Sequence, residues 1–239
     1  MMNIPQSWRY DEFKQVGKDY SQSAEAEVYD SSHADFRDAV KESEAALDLL
    51  GVKAGSVVID FGAGTGTFAV QAVKREAQVY AVDVSPAMMA QAQDKAAKTC
   101  VTGITFCHGG FLTYEHAGPP VDAISTSFSF HHLPDFWKGI ALKRLAALLK
   151  PGGKLYLYDV ILTEEKPLED IAAFIAKQTE AGGDFLRKDA EMHFRDEFST
   201  YDWVMDGLLE RAGFRIESKR MEGGVLGTYV AVKAGENTK

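Results

Sequence analysis

Three glycines in strict alternation behind an acid, Asp60-Phe61-Gly62-Ala63-Gly64-Thr65-Gly66, are the first residues whose types and spacing could do chemistry. Glycine admits φ > 0 and lets a ligand approach main-chain N–H groups at a helix N-terminus. The dinucleotide fingerprint is G-x-G-x-x-G, so this alternation is not the pyrophosphate pattern. A second acid, Asp83, follows 17 positions after Gly66 at the end of an apolar run, where a carboxylate can accept both hydroxyls of a ribose. Together these imply a single nucleoside. Further along stands His131-His132, two imidazoles with ordinary pKa values near ~6.5 that can take a proton at neutral pH.

The elements that must position these residues read as alternating strands and helices. Val57-Val58-Ile59 is β-branched and suits a strand covered on both faces, followed by a helix from Thr67 to Arg75. Gln78 to Val82 is a second strand. Ser85-Pro86 then caps a helix with Met88, Ala92 and Ala96 on one face. Ile104 to His108 is a third strand and Val121 to Ser127 a fourth, running into Phe128-Ser129-Phe130-His131-His132-Leu133-Pro134. In an open parallel sheet the crevice beyond the carboxyl ends of the strands holds ligands, so this loop is the expected mouth. A helix from Asp135 to Leu149, with Phe136, Ile140, Leu145, Leu148 and Leu149 toward the core, ends at Pro151-Gly152-Gly153. Lys154 to Val160 is a fifth strand, and Tyr158 and Asp159 stand near the mouth. Upstream, His33 to Leu50 places Phe36, Val40, Leu47 and Leu50 on one face, with Gly51 as a stop. Residues 162–200 interrupt the pattern with a helix showing Leu168, Ile171, Ala172 and Ile175. An amphipathic helix around Tyr201 to Ala212 and an antiparallel pair around Glu222-Gly223-Gly224 close the chain.

The ordered set D-F-G-A-G-T-G at Asp60, V-D-V-S at Asp83 and L-L-K-P-G-G-K-L from Leu148 resembles the class I S-adenosylmethionine-dependent methyltransferases of the small-molecule type, over roughly residues 40–160. The resemblance implies a doubly wound, seven-stranded Rossmann-like α/β sheet of order 3-2-1-4-5-7-6. It also implies S-adenosylmethionine as cofactor and S-adenosylhomocysteine as product. Asp60, Gly62, Gly64, Gly66 and Asp83 carry across position by position, and Ala63, Val84, Met88, Phe111, Ser127 and His132 complete the expected cofactor site. Met88 and Phe111 are candidates to touch the adenine ring. In the family an acid commonly stands where Gly110 stands and accepts the adenine amino group. Here that contact must come from backbone, water or another residue. The His-His-Leu segment resembles small-molecule and quinone-type enzymes, with His131 as the substrate-side catalytic candidate and His132 structural or cofactor-adjacent. Neither N-P-P-Y nor a Pro-Cys nucleophile appears.

Residues 1–32 carry Trp8, Tyr10, Phe13, Tyr20 and Tyr29 and resemble the family's N-terminal cap segment. Tyr29 of the Tyr29-Asp30 pair joins the cofactor set, whereas Trp8 and Phe13 read as packing residues. Residues 162–200 read as the lid of a single 1–239 domain. A net charge of −9 without a basic stripe argues against nucleic acid. No apolar run approaches a membrane span, and the start lacks a signal-peptide pattern. Cys100 and Cys107 lack zinc spacing, and two histidines alone do not make a metal site, so free thiols in a cytoplasmic protein without a metal are expected. The expected reaction is attack by an O, N, S or C atom of a small-molecule acceptor on the sulfonium methyl. A cofactor-binding protein without catalysis and a nucleotide-dependent oxidoreductase are the alternatives.

Overall fold

A computed structural model of the chain describes residues 5–14, 16–17 and 37–235. Tyr20, Tyr29 and Phe36 lie outside the described residues. The elements run α1 (Ala39–Leu50), β1 (Val57–Phe61), α2 (Thr67–Lys74), β2 (Gln78–Asp83), α3 (Pro86–Lys98), β3 (Ile104–His108) and β4 (Val121–Ser127). A 3-10 turn (Phe130–His132) leads to α4 (Asp135–Leu148), β5 (Leu149–Leu162), α5 (Pro167–Asp196), β6 (Thr200–Tyr201), α6 (Asp202–Arg211), β7 (Phe214–Glu222) and β8 (Leu226–Lys233).

One sheet of order β3-β2-β1-β4-β5-β8-β7 organises them. This is the expected order, renumbered because the two-residue β6 pairs with the end of β5 and precedes the closing antiparallel pair. β1 lies between β2 and β4, both parallel to it, so Asp60 aligns with Ala81 and Ser125 at the carboxyl end. Val58, Ile59 and Phe61 are buried on a strand covered from both sides, as their β-branched and aromatic run requires. One apolar cluster lies between the sheet and α4 and α6, and the other between the sheet and α1 and α2.

Several sequence expectations shift. α1 begins at Ala39, where the Asp38 carboxylate accepts from the Lys41 N–H, and it buries Ser43, Ala46, Leu47 and Leu50 while Val40 faces solvent. Phe136 is 64% exposed and Leu168 78% exposed, so neither belongs to the core. In α4 the inward face carries Ala141, Leu142, Leu145 and Leu148, with the aliphatic stems of Lys138 and Arg144 beside them. β5 starts at Leu149, before Pro151-Gly152-Gly153: Val121 pairs with Leu149 and Ala123 with Lys154, so residues 150–153 bulge out of the ladder. Trp8 is 59% exposed even though its ring lies 5.9 Å from that of Trp137. Phe13 is likewise exposed, against His108.

Candidate functional site

The β1–α2 loop turns because its glycines take left-handed backbone. Gly62 has φ 66° and Gly66 φ 77°. A Cβ on Gly62 would run into the Ser129 side chain, and one on Gly66 would meet Ala92 Cβ at 2.8 Å. Glycine is therefore required both by conformation and by close approach. The turn delivers the Gly64 N–H to Asp83 Oδ2 at 2.7 Å, and the Ser85 N–H bonds Asp83 Oδ1 at 2.8 Å. Burial pushes the Asp83 carboxyl up, opposed by these N–H groups. Asp60, packed against Ser125, is pushed by burial to about 8, with Asp83 adding to the rise.

Two cavities open at this loop and a third adjoins them. One of about 110 Å³ is walled by Gly62, Gly64, Asp83, Val84, Met88, Gly110, Phe111, Ser127 and His132, so nine of the expected cofactor residues converge there. A second, of about 90 Å³, adds Asp60 and Ala63 and shares Gly62, Gly64 and Ser127 with the first. Gly66 walls neither; it caps α2. The third is the largest, about 520 Å³, lined by Phe128, His131, His132, Tyr158, Val160, Phe174, Leu186 and His193 among others. Phe128 and His132 belong to both the large cavity and the first one. Phe128 has φ 50°, uncommon for a bulky side chain, with its ring edge-on to Tyr158.

His131 is the most constrained residue of the mouth. Asp159, at the end of β5, accepts from its Nδ1 and from the Phe130 and His131 N–H groups. Glu197, just past α5, lies 3.1 Å from His131 Nε2 and 2.6 Å from His193 Nδ1. All three of His131, Asp159 and Glu197 are buried. Burial pulls the His131 pKa down, but the two carboxylates outweigh it and raise it to about 9. Both carboxyls are held below their ordinary range against burial, chiefly by His131. His132 goes the other way: burial and the neighbouring His131 charge lower it to about 4. Ligand-capable atoms of His131, His132 and Glu197 lie within 4.8 Å of one another; a proton on His131 neutralises there what a cation otherwise would.

The far end of α5 is tied to the same loop. The Phe198 N–H donates to the His131 carbonyl at 3.0 Å, buried Lys138 bonds the Phe198 carbonyl and Asp135, and the Thr200 hydroxyl donates to Asp135 at 3.1 Å. Sequence reasoning missed Glu197 as the carboxylate shared by His131 and His193, and took Asp159 only for a residue near the mouth. The sole local signal was an acid at the end of a strand beside the His-His turn.

A doubly wound sheet with a glycine loop and a buried acid at its carboxyl ends is the architecture of an α/β protein with a ligand crevice at the switch point of the sheet. Comparison narrows the class. Residues 58–153 match the family model described as a methyltransferase domain. An uncharacterized methyltransferase of Geobacillus kaustophilus is 31% identical over 204 residues, spanning 85% of this chain and 87% of that one. Among solved structures, a SAM-dependent methyltransferase from Aquifex aeolicus superposes with a TM-score of 0.63 at 21% identity, covering 89% of this chain and 99% of its own. The [4+2]-cyclase SpnF superposes at 0.67 and 14% identity, over 89% and 93%. The chain belongs to the class I S-adenosylmethionine-dependent methyltransferases.

Proposed function

We propose that this enzyme methylates a small-molecule acceptor bound in the 520 Å³ cavity. The observation that carries the reading is the shared wall: Phe128 and His132 line both that cavity and the one holding Asp83. An acceptor in the large cavity therefore faces the cofactor cavity directly. Aromatic and aliphatic side chains form much of the wall, with Arg37, Lys177 and Glu222 supplying polar contacts, which suits a partly apolar compound of drug-like size.

In this reading Asp83 takes the ribose, Val84, Met88 and Phe111 flank the adenine, and Asp60, Gly62, Ala63 and Gly64 pass beside the methionine part. Gly66 shapes the loop as the helix cap. When bound, S-adenosylmethionine supplies a methyl already activated by the positive sulfur, so the chain mainly aligns the reactants and excludes water. His131 is the positioning residue, kept protonated by Asp159 and Glu197. His132, neutral at physiological pH and facing both cavities, accepts the hydrogen bond or proton of the acceptor atom. These roles exchange the two histidines relative to the expectation from sequence. Residues 162–200 act as the lid that shapes the acceptor cavity.

The test is transfer from S-adenosylmethionine carrying a labelled methyl into separate small-molecule, RNA and protein fractions of a cell extract. Label in the small-molecule fraction is expected; label confined to RNA or protein refutes the reading. His132→Ala should keep S-adenosylhomocysteine affinity within about twofold while turnover falls by about 10²-fold. Unchanged turnover removes His132 from the chemistry. The likeness to a cyclase favours one second reading, a cofactor fold put to other chemistry in the same cavity. Cofactor binding without label transfer to any fraction supports it.

A further inference from the structure

Glu12 reaches the cofactor cavity from the N-terminal segment. It lines that cavity together with Asp83, Val84, Met88, Gly110 and Phe111. Its carboxylate accepts the Leu112 N–H at 3.0 and 3.1 Å and the Thr113 hydroxyl at 2.6 Å. A carboxylate has about four lone-pair sites, so these contacts leave Oε2 able to accept again. Nearby contacts hold the segment in place: the Tyr10 hydroxyl donates to the His132 carbonyl at 3.2 Å, and Trp8 packs on Trp137.

The residue opposite is Gly110. A Cβ there would stand 2.5 Å from Glu12 Oε2 and 2.8 Å from Val84 Cγ1. Only glycine leaves room for the carboxylate, so the two positions depend on each other across 98 residues of chain. Burial pushes the Glu12 carboxyl up, with Thr113 and Leu112 opposing; a further donor on this group would favour its charged form.

We infer that Glu12 selects the purine of the cofactor, its free acceptor capacity meeting the exocyclic amine of adenine in a cavity whose other end carries the ribose acid. This rests on the cofactor assignment and adds a residue from a segment remote in sequence from the glycine loop. Adenine presents an N–H₂ donor at C6, whereas a 6-oxopurine presents a carbonyl oxygen that a carboxylate repels. Glu12 is therefore a discriminating contact, and Gly110 is the space that admits it.

The experiment is calorimetric titration of the full chain with S-adenosylhomocysteine and with its deaminated counterpart, S-inosylhomocysteine. Wild type should prefer the adenine compound by on the order of 10- to 100-fold, as a site built to hydrogen-bond one substituent rejects the analogue lacking it. Glu12→Gln keeps the side-chain carbonyl for Leu112 and Thr113 and gains an N–H₂ that can donate to a 6-oxo group, so the preference should fall to within about threefold. Gly110→Ala, which displaces the carboxylate, should lose the preference likewise. Asp11→Ala, on the exposed neighbour, should retain it. Glu12→Gln binding both compounds in the wild-type ratio overturns the inference and leaves the cofactor assignment standing, the role of Glu12 then being only to fasten the segment. Binding of neither compound by wild type overturns both.

Discussion

Glu197→Gln probes the most charged part of the mouth. Glu197 Oε2 pairs with His131 Nε2 at 3.1 Å and His193 Nδ1 at 2.6 Å, the Glu197 and His131 side chains buried and His193 half-buried. The rise of His131 from its ordinary 6.5 to about 9 corresponds to a preference for the imidazolium of about 3 kcal/mol. A raised folded-state pKa on a histidine gives stability that is complete below the unfolded value near 6.5 and lost as pH rises through about 9. Asp159 supplies the larger share of the support, so removing the Glu197 charge while keeping its shape should destabilise the fold at pH 6 by about 2 kcal/mol, within the range for charge-assisted hydrogen bonds. Above pH 9 neutral His131 turns a lone pair toward Glu197, and the deficit should shrink below about 0.5 kcal/mol. Asp60 titrates in the same interval with its own loss of stability as pH rises toward 8, but it is common to both proteins and cancels in the difference. Urea unfolding of wild type and variant at half-unit steps from pH 6 to 10 measures this. A deficit independent of pH refutes the charged-His131 account, and no deficit at pH 6 refutes the importance of the pairing.

Other consequences follow from the glycine loop and the acids beside it. Asp83→Asn should weaken S-adenosylhomocysteine binding by about 1.5–3 kcal/mol, measured calorimetrically, with the melting transition retained to show an intact fold. Gly62→Ala places a Cβ on the Ser129 side chain at φ 66° and should cost about 1–3 kcal/mol by urea unfolding. A stability equal to wild type refutes the closeness of that turn. Asp60→Asn should match wild type most nearly below about pH 4 and become the more stable of the two as pH rises from about 4 to about 8, because the unfolded carboxyl ionises from its ordinary 3.8 while burial keeps the native one protonated up to about 8. The same variant losing stability above pH 8 refutes the neutral acid.

Where function depends on residues close in sequence, the chain was readable. The glycine alternation and the cap at Ser85-Pro86 act within one turn of their own backbone, Asp83 reaches only Ser85 and the neighbouring glycine loop, and the expected strand order was what the family resemblance of the ordered motifs implied. Periodicity failed at Val40, Phe136 and Leu168 because an apolar residue at helical spacing says nothing about which neighbour a helix faces; α4 turned its lysine and arginine stems inward and Phe136 out. His131, Asp159 and Glu197 were invisible as a unit because three separate elements bring them together. Gly110 could be read only as the place of a missing acid, and Glu12, on a segment remote in sequence, carried no signal of its own.

α5 is not one rod. At Gly182 and Gly183 the backbone leaves helical geometry, Gly183 at φ 62°. Before the break, Ala173, Phe174, Lys177, Gln178 and Ala181 wall the large cavity; beyond it Leu186, Asp189, Ala190 and His193 wall it as well, and His193 also engages Glu197 at the histidine loop. In the proposed reading, the break divides the lid into a first half that walls the cavity and a second half that walls it and is also moored at the histidine loop. A change of acceptor can thus be written into residues 167–181, by substitution or a shifted length, with the mooring left undisturbed. Read as a lid, α5 is thus modular along its own axis, with one panel open to replacement and another held by its ion pairs.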